Sequence, residues 1–524
     1  MDGTVTQAGG PGQGKGRGKK KQRETYGKVA KKGAAWSAIR QGGHELMAVP
    51  FSMVMARLLT PKEFGVAVAA SFFVLLSARL MQFGFGAALV RVKEVREEHT
   101  SSVFLVSLGT GLVSYGVLFL CAPAIGRFFQ SPQSGELVRV AALSFVLSPF
   151  GSVASSMLTR RMEFRAIALA DWTDSLVGSV TTIALALAGW SYWSIVYGQV
   201  AATGLRVLLQ MYLARWRPSL RFSRAALREL LSYGLGVQTK RLLEYAAANL
   251  DNLVVGRLMD MASLGFYDKA FSTMGRLVNR LTLGQAPFRI FSIINEDRER
   301  FQRAYERLIL SVTMLGYPAL TVCIVVAGPL FDVLYGRRWA AAVLPFQILC
   351  VGGALKLLNN YGSQANEALG GIWRQASRQA IGTVLVVVGA YVGTRAGGIA
   401  GAALGVTVAT AVLTLSMQAL VRRALGLSWR ELLRPQVPAV MCSLVLAAVL
   451  MLALRGLARV VPHASSLLVL AITLALAAGV FVLFIIGSPY GSLRALVRET
   501  AEDLLPGRLA LIVGRVVPSP GGGQ

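Results

Sequence analysis

The chain has 524 residues, of which 54% are hydrophobic and only 15% charged, and its mean hydropathy is +0.55. A soluble globular protein of that length would carry far more charge on its surface, so the composition points to a polytopic membrane protein. The net charge of +28 suggests nucleic acid only until the charges are placed. They fall in loops between apolar runs, and no soluble basic face is left to hold a nucleic acid.

In chain order, residues 1–33 contain "GQGKGRGKKKQRETYGKVAKK". This is too long and too polar for the leading part of a cleaved signal, and no small-residue cleavage site follows, so it reads as a disordered basic cytoplasmic tail. Apolar runs of about 20 residues, enough to cross a bilayer, then recur along the chain. The expected architecture is all-α with about fourteen transmembrane helices. They lie near 34–56, 64–90, 101–125, 137–158, 167–189, 192–214, 230–256, 263–292, 307–330, 342–370, 377–396, 399–422, 436–455 and 465–487. Residues 34–214 are expected to form an N-lobe of six spans and residues 230–422 a C-lobe of six, joined by a basic cytoplasmic linker at 215–229. Residues 436–487 form an appended helix pair, and 488–524 a cytoplasmic tail. Basic residues concentrate in alternate loops: 91–96, 160–165, 215–228, 298–307, 374–378 and 422–434. That is the positive-inside pattern, and an even span count then puts both termini in the cytoplasm.

One hairpin occurs twice. "ARLLTPKEFG" (Ala56–Gly65) and "GRLMDMASLG" (Gly256–Gly265) align without a gap, pairing Arg57 with Arg257, Leu58 with Leu258 and Gly65 with Gly265. The same offset pairs Ala48 with Ala248, Val54 with Val254, Ala70 with Ala270 and Gly84 with Gly284. "CAPAIGRFF" (Cys121–Phe129) resembles "VAGPLFDVLY" (Val326–Tyr335), with Pro123 opposite Pro329. An even number of spans separates the copies, so the repeat is parallel and implies two bundles related by an axis along the membrane normal. "GGIAGAALG" spaces Gly397, Gly401 and Gly405 at four-residue intervals, which predicts a close-packed seam between helices.

Enzyme signals are missing. The sequence has no Walker, HExxH or GxSxG motif, and the first external loop, 60–63, carries a single carboxylate, Glu63. Cys121, Cys323, Cys350 and Cys442 lie inside spans without CxxC spacing and read as packing residues. Neither a cofactor nor a metal is expected.

Charges at membrane depth are costly and face a bundle interior or an aqueous cavity. Here they gather in the first two helices of each half: Arg40, His44, Glu45 and Arg79 in the first, and Lys240, Arg241, Glu244, Asp251, Asp268, Lys269, Arg276 and Arg280 in the second. Lys240, Glu244 and Asp251 share one helical face; Arg276 and Arg280 share another, beside Asn279. The repeat sets Arg40 opposite Lys240 and Arg79 opposite Asn279. Converging guanidinium and ammonium groups suit a phosphate-bearing cargo. Asp171 and Asp174 are expected at an interface.

"ARLLTPKEFGVAVAA", "FGFGAALVR", "LTRRMEFRAIAL" and "GWSYWSIVYGQVAA" resemble, in order and spacing, bacterial polysaccharide flippases. These belong to the multidrug/oligosaccharidyl-lipid/polysaccharide exporter superfamily, and the resemblance spans residues 30–425. It implies two six-helix lobes around a central cavity, with the first two helices of each lobe acting as gates. It also implies a flippase, not an enzyme, that moves an undecaprenyl-pyrophosphate-linked oligosaccharide between leaflets of the bacterial inner membrane by alternating access, for O-antigen, capsule or exopolysaccharide synthesis. On that reading Arg40, Arg79, Lys240, Arg276 and Arg280 attract the pyrophosphate, and Asn252, Asn279, Asn359, Asn360 and Gln364 contact the sugar. Glu45, Glu244, Asp251 and Asp268 are the candidates for ion coupling. The implied partners are the lipid-linked oligosaccharide, membrane lipids, and the polymerase and chain-length machinery. Three alternatives stay open. A cation-coupled multidrug exporter would want an acidic cavity, and a peptidoglycan-precursor flippase fits the same fold. A membrane glycosyltransferase or polymerase is disfavoured by the short loops.

Overall fold

The computed structural model describes residues 36, 42–43, 46–81, 85, 89, 95–225, 227, 245, 248–282, 284, 286–461, 464–488, 490 and 493. Among them the structure is helical, without a strand. The helices are α1 (Leu46–Leu58), α2 (Pro61–Met81), α3 (Glu97–Phe128), α4 (Pro132–Ala141), α5 (Ser144–Arg160), α6 (Phe164–Leu187), α7 (Trp193–Ala214), α8 (Met261–Arg280), α9 (Ala286–Ile293), α10 (Arg298–Val325), α11 (Ala327–Tyr335), α12 (Val343–Ala368), α13 (Ile372–Leu425), α14 (Trp429–Leu433), α15 (Val437–Val460) and α16 (Ser466–Gly487). Eight helical stretches among the described residues are long and apolar enough to cross a membrane, and the chain is a multi-pass membrane protein. The basic tail at 1–33 and the segment 494–524 lie outside the described residues.

Two expected spans are each broken in two. The run 263–292 is α8 followed by α9, because the backbone leaves the helix after Arg280 and Gly284 adopts φ +60°. The run 137–158 is divided between α4 and α5. A hydropathy reading sees apolar content but not these one-turn interruptions.

The described residues fold as two compact units, Met1–Met55 with Val74–Ala122 and Glu136–Leu242, and Ala56–Phe73 with Pro123–Gly135 and Leu243–Gln524. In the first unit α6 and α7 approach through small residues. A Cβ on Gly198 would lie 1.9 Å from Thr182 Oγ1, and one on Gly178 3.2 Å from the Ala202 Cβ. The "GWSYWSIVYGQVAA" stretch therefore has two jobs: Gly198 and Ala202 set the packing, while Trp190 and Trp193 flank Tyr197 at 5.4 and 5.8 Å as an interfacial aromatic cluster. The arginines of "LTRRMEFRAIAL" bond backbone carbonyls of other segments. Arg160 donates to the Leu89 carbonyl at 3.3 Å and Arg161 to the Ala214 carbonyl at 3.0 Å. Asp171 and Asp174 pair with Arg206 at 3.0 and 3.9 Å.

In the second unit α13 is two antiparallel helices joined at Gly397 and Gly398, whose backbone is non-helical. Gly397 was expected in the packing seam; nothing lies within 4 Å of a Cβ there, because it forms the turn instead. The seam is Gly389 against Gly405 and Gly393 against Gly401, where an added Cβ would meet backbone oxygen at 1.9–2.5 Å. The appended pair α15 and α16 packs on α10 through Ala439, Cys442, Leu446, Leu450 and Ala477.

The two hairpin copies start alike. Helix α1 ends at Leu58 and the helical stretch 248–258 ends at the matching residue, and each is followed by a capped helix. Thr60 and Glu63 form a capping box, the Thr60 amide donating to Glu63 Oε2 at 2.6 Å and the Glu63 amide to Thr60 Oγ1 at 3.3 Å, with Pro61 at the first helical position. In the second copy the Asp260 carboxylate accepts from the Ser263 amide at 3.0 Å. Each cap stabilises its helix start by about 1 kcal/mol. The "TPKEF" and "DMASL" sequences are two chemical solutions to the same turn.

Candidate functional site

Helical stretch 248–258 presents Asp251 and Asn252, and α8 presents Tyr267, Asp268 and Lys269. The Tyr267 hydroxyl donates to Asp251 Oδ2 at 2.8 Å, and the Asn252 amide donates to Asp268 Oδ1 at 3.2 Å. Both bonds join residues sixteen apart, so they tie the two helices of this hairpin together side by side. Asp251 is 1% exposed and Asn252 6%. Asp251 Oδ1, Asn252 Oδ1 and Asn359 Oδ1 are buried without a hydrogen-bond partner. A buried oxygen left unpaired costs about 1–3 kcal/mol, and a native structure keeps such a group for a reason.

A cavity of about 110 Å³ adjoins this hairpin, lined among others by Asp251, Lys356, Asn359, Gln379, Thr383 and Thr407. Lys356 comes from the exposed face of α12, and its ammonium lies 5.9 Å from the Phe271 ring. The cavity thus holds one carboxylate, one ammonium and several uncharged oxygens, all on elements of the second compact unit.

Lys269 has a different setting. It is 3% exposed, and its ammonium lies 3.8 Å from the Phe64 ring centre, 4.9 Å from Tyr335 and 5.1 Å from Trp339. Three aromatic faces around a desolvated ammonium are worth up to about 2 kcal/mol. The Trp339 indole nitrogen donates to the Ala56 carbonyl at 2.8 Å, and Trp339 is wholly buried.

The remaining sequence-derived residues are placed as follows. Arg40, Glu45, Lys240 and Glu244 lie outside the described residues. Arg79 is half-buried in the last turn of α2. Arg276 is half-buried one turn before Asn279 and Arg280, which are both exposed. Asn360 is half-buried on α12 beside Asn359. Gln364 is committed at both ends of its amide: Oε1 accepts from the Phe288 amide at 3.1 Å and Nε2 donates to the Gly284 carbonyl at 3.0 Å. It bridges the break between α8 and α9. Arg422, grouped with Arg423 in a basic loop by sequence, is instead in the last turn of α13, its guanidinium 5.2 Å from the Trp429 ring and its Nε buried.

Sequence reasoning missed Tyr267, Lys356 and the caging of Lys269. Lys356 was findable by the same cost argument as the others, being a lone cation in an apolar run. Tyr267 was not, because a tyrosine in a span carries no such signal.

The fold is that of a helical, multi-pass membrane protein with ionisable side chains buried between its helices. The structure is similar to the lipid II flippase MurJ in an inward closed conformation, with a TM-score of 0.69 and 13% identity, covering 86% of this chain and 98% of that one. The chain belongs to the polysaccharide biosynthesis protein family, whose pattern matches residues 54–344, more than half of its length. It is 25% identical over 336 residues to the lipopolysaccharide biosynthesis protein WzxC of Escherichia coli (strain K12), covering 63% of this chain and 68% of that protein. It is 27% identical over 322 residues to the succinoglycan biosynthesis transport protein ExoT of Rhizobium meliloti (strain 1021), covering 60% and 64%.

Proposed function

We propose that this protein is a flippase that carries an undecaprenyl-pyrophosphate-linked oligosaccharide from the cytoplasmic to the periplasmic leaflet of the bacterial inner membrane, for O-antigen, capsule or exopolysaccharide synthesis. The observation that carries the reading is membership of the polysaccharide biosynthesis family on a lipid-flippase fold. A relative named a transport protein supports transport over transferase chemistry. Both termini are cytoplasmic, the lobes are 34–214 and 230–422, and the polymerase and chain-length machinery receive the cargo.

Arg276 and Arg280 dock the pyrophosphate, with Arg40, Arg79 and Lys240 completing the basic set. Two unit charges about 4 Å apart interact by roughly 4 kcal/mol at an effective dielectric near 20, so several cations offset the cost of taking a diphosphate out of water. Asn279, Asn359 and Asn360 reach sugar hydroxyls, helped by Asn252, while Gln364 is already committed to the Phe288 amide and the Gly284 carbonyl. Asp251 and Asp268 take part in ion coupling, as do Glu45 and Glu244. The unpaired Oδ1 of Asp251 supports that role, since an ion or proton arriving there would relieve its unmet hydrogen bonding.

The test is leaflet-resolved quantification of lipid-linked oligosaccharide. Replacing Arg276 and Arg280 together with Gln is expected to trap it on the cytoplasmic leaflet while the protein reaches the membrane at normal levels. Arg423 and Arg430, both exposed, are the control pair; Arg422 is unsuitable because it stacks on Trp429. Normal translocation in the Arg276/Arg280 variant would remove the docking role.

A further inference from the structure

The cavity beside the Asp251 hairpin has a charge balance of its own. Asp251 is 1% exposed, and the Tyr267 hydroxyl donates only to its Oδ2. Its Oδ1 is buried without a hydrogen-bond partner, as is Asn359 Oδ1, and both residues line the cavity. Three threonines of the wall give their hydroxyl hydrogens to backbone carbonyls: Thr383 to Gln379 at 2.9 Å, Thr407 to Ile348 at 3.2 Å and Thr410 to Val406 at 2.8 Å. A hydroxyl has one hydrogen, so each of these oxygens is left as an acceptor. The amides of Asn359 and Gln379 donate as well as accept, but they carry no charge. A wall of this kind around a carboxylate is a place for a cation.

The chain supplies one. Among the lining residues the charged ones are Asp251 and Lys356. Lys356 precedes Asn359 by three residues and shares its face of α12. Its ammonium lies 5.9 Å from the Phe271 ring centre, within cation–π range, and Phe271 lines the same cavity. Lys356 is exposed where Asp251 is buried, so the ammonium comes to the cavity from its open side and the carboxylate stands at the closed one. A lysine carries its charge on a flexible four-carbon stem. The cavity, at about 110 Å³, is far larger than the roughly 15 Å³ that a water-sized group requires. An ammonium head fits.

We propose that Lys356 is the resident cation of this cavity: its ammonium serves the unpaired oxygens of Asp251 and Asn359, and no metal ion binds there while it is charged. Charge counting gives the reason. Asp251 and Lys356 together are neutral, and an inorganic cation added to them would leave a net positive charge away from water. Without the lysine, one carboxylate balances one positive charge, and the same oxygens suit a hard monovalent cation, since hard cations take oxygen ligands. For transport the consequence, which rests on the coupling role given above to Asp251, is that a metal ion is not what Asp251 exchanges.

The experiment uses no cargo, so this proposal and the flippase reading stand or fall separately. The full chain is purified in detergent with sodium, potassium or choline as the cation, at one ionic strength so that screening does not vary. The unfolding temperature of the parent is expected to be the same in all three. Lys356→Met removes the charge at similar length. Sodium or potassium should then raise the unfolding temperature by about 3 °C or more over choline, as a ligand of the folded state does. Lys356→Arg keeps a cation and should show no such rise. Adding Asp251→Asn to Lys356→Met removes the carboxylate and should abolish the rise. If Lys356→Met alone is not recovered folded, recovery of the double variant supports the pairing, because two neutral side chains need no cation. Loss of both, while Asp251→Asn alone folds, would overturn it. So would a folded Lys356→Met variant indifferent to the cation, or a parent stabilised by sodium or potassium through a response that Asp251→Asn removes.

Discussion

Tyr267 donates to one oxygen of Asp251 and leaves the other without a partner. Removing that hydroxyl with Tyr267→Phe strips a buried carboxylate of its side-chain donor, and is expected to cost about 1–3 kcal/mol of stability. Asp251→Asn keeps an oxygen that accepts from Tyr267 and lightens the burden of a buried charge. It should unfold at or above the parent temperature, yet lose oligosaccharide export if Asp251 couples ions. Thermal unfolding in detergent, read beside export in cells, separates the two. A variant that is stable and fully active would exclude Asp251 from coupling. At this scale the sequence was legible where charge was concerned. Asp251, Asp268 and Arg276 stand out because membrane depth makes any ionisable residue expensive. It was silent on hydrogen-bond partners. Gln364 looks like a sugar ligand by type, and only the bond from Phe288 and the bond to Gly284 show that its amide already holds a backbone break.

Helix boundaries were better written into the sequence than helix interiors. The two spans expected at 377–396 and 399–422 meet where Gly397 and Gly398 turn the chain, because two adjacent glycines are a strong local signal. Their division of labour was not legible, since spacing alone cannot say which glycine faces a partner. The difference is testable. Gly397 has φ −152° and open space around its Cβ, so Gly397→Ala should change the unfolding temperature little. Gly398 has φ +59° with ψ −142°, a region held essentially by glycine, and Gly398→Ala should cost about 1–3 kcal/mol in strain. Gly401→Ala meets the Gly393 carbonyl at 2.0 Å, so the hairpin must splay, at a further cost of about 1–3 kcal/mol or more. Thermal unfolding of the three single variants should leave Gly397→Ala near the parent and lower both of the others. An effect at Gly397 as large as at Gly401 would contradict the seam as described.

The repeat was legible as an alignment, but an alignment cannot say whether two copies touch. Their meeting at Gly65 and Gly265, where a Cβ on each would lie 1.7 and 2.1 Å from a backbone oxygen of the other copy, depends on residues far apart in the chain, with Trp339 bonded to Ala56 and Arg57 to Val333. The same geometry changes how topology must be tested. A reporter inserted across 336–340 would displace Trp339, which is wholly buried, whereas Arg337 and Arg338 beside it are exposed. Single cysteines are therefore the suitable probes, in a chain without Cys121, which is itself exposed. Arg338→Cys is expected to react with a membrane-impermeant maleimide added outside intact spheroplasts. Arg423→Cys, exposed at the end of α13 in a basic stretch, should react only after the membrane is opened. The three spans expected between the two positions and the positive-inside pattern both require this opposition. Labelling of both cysteines from outside would mean an even number of crossings between them and the wrong side for one basic loop, and would overturn the lobe assignment and the cytoplasmic placement of the termini together.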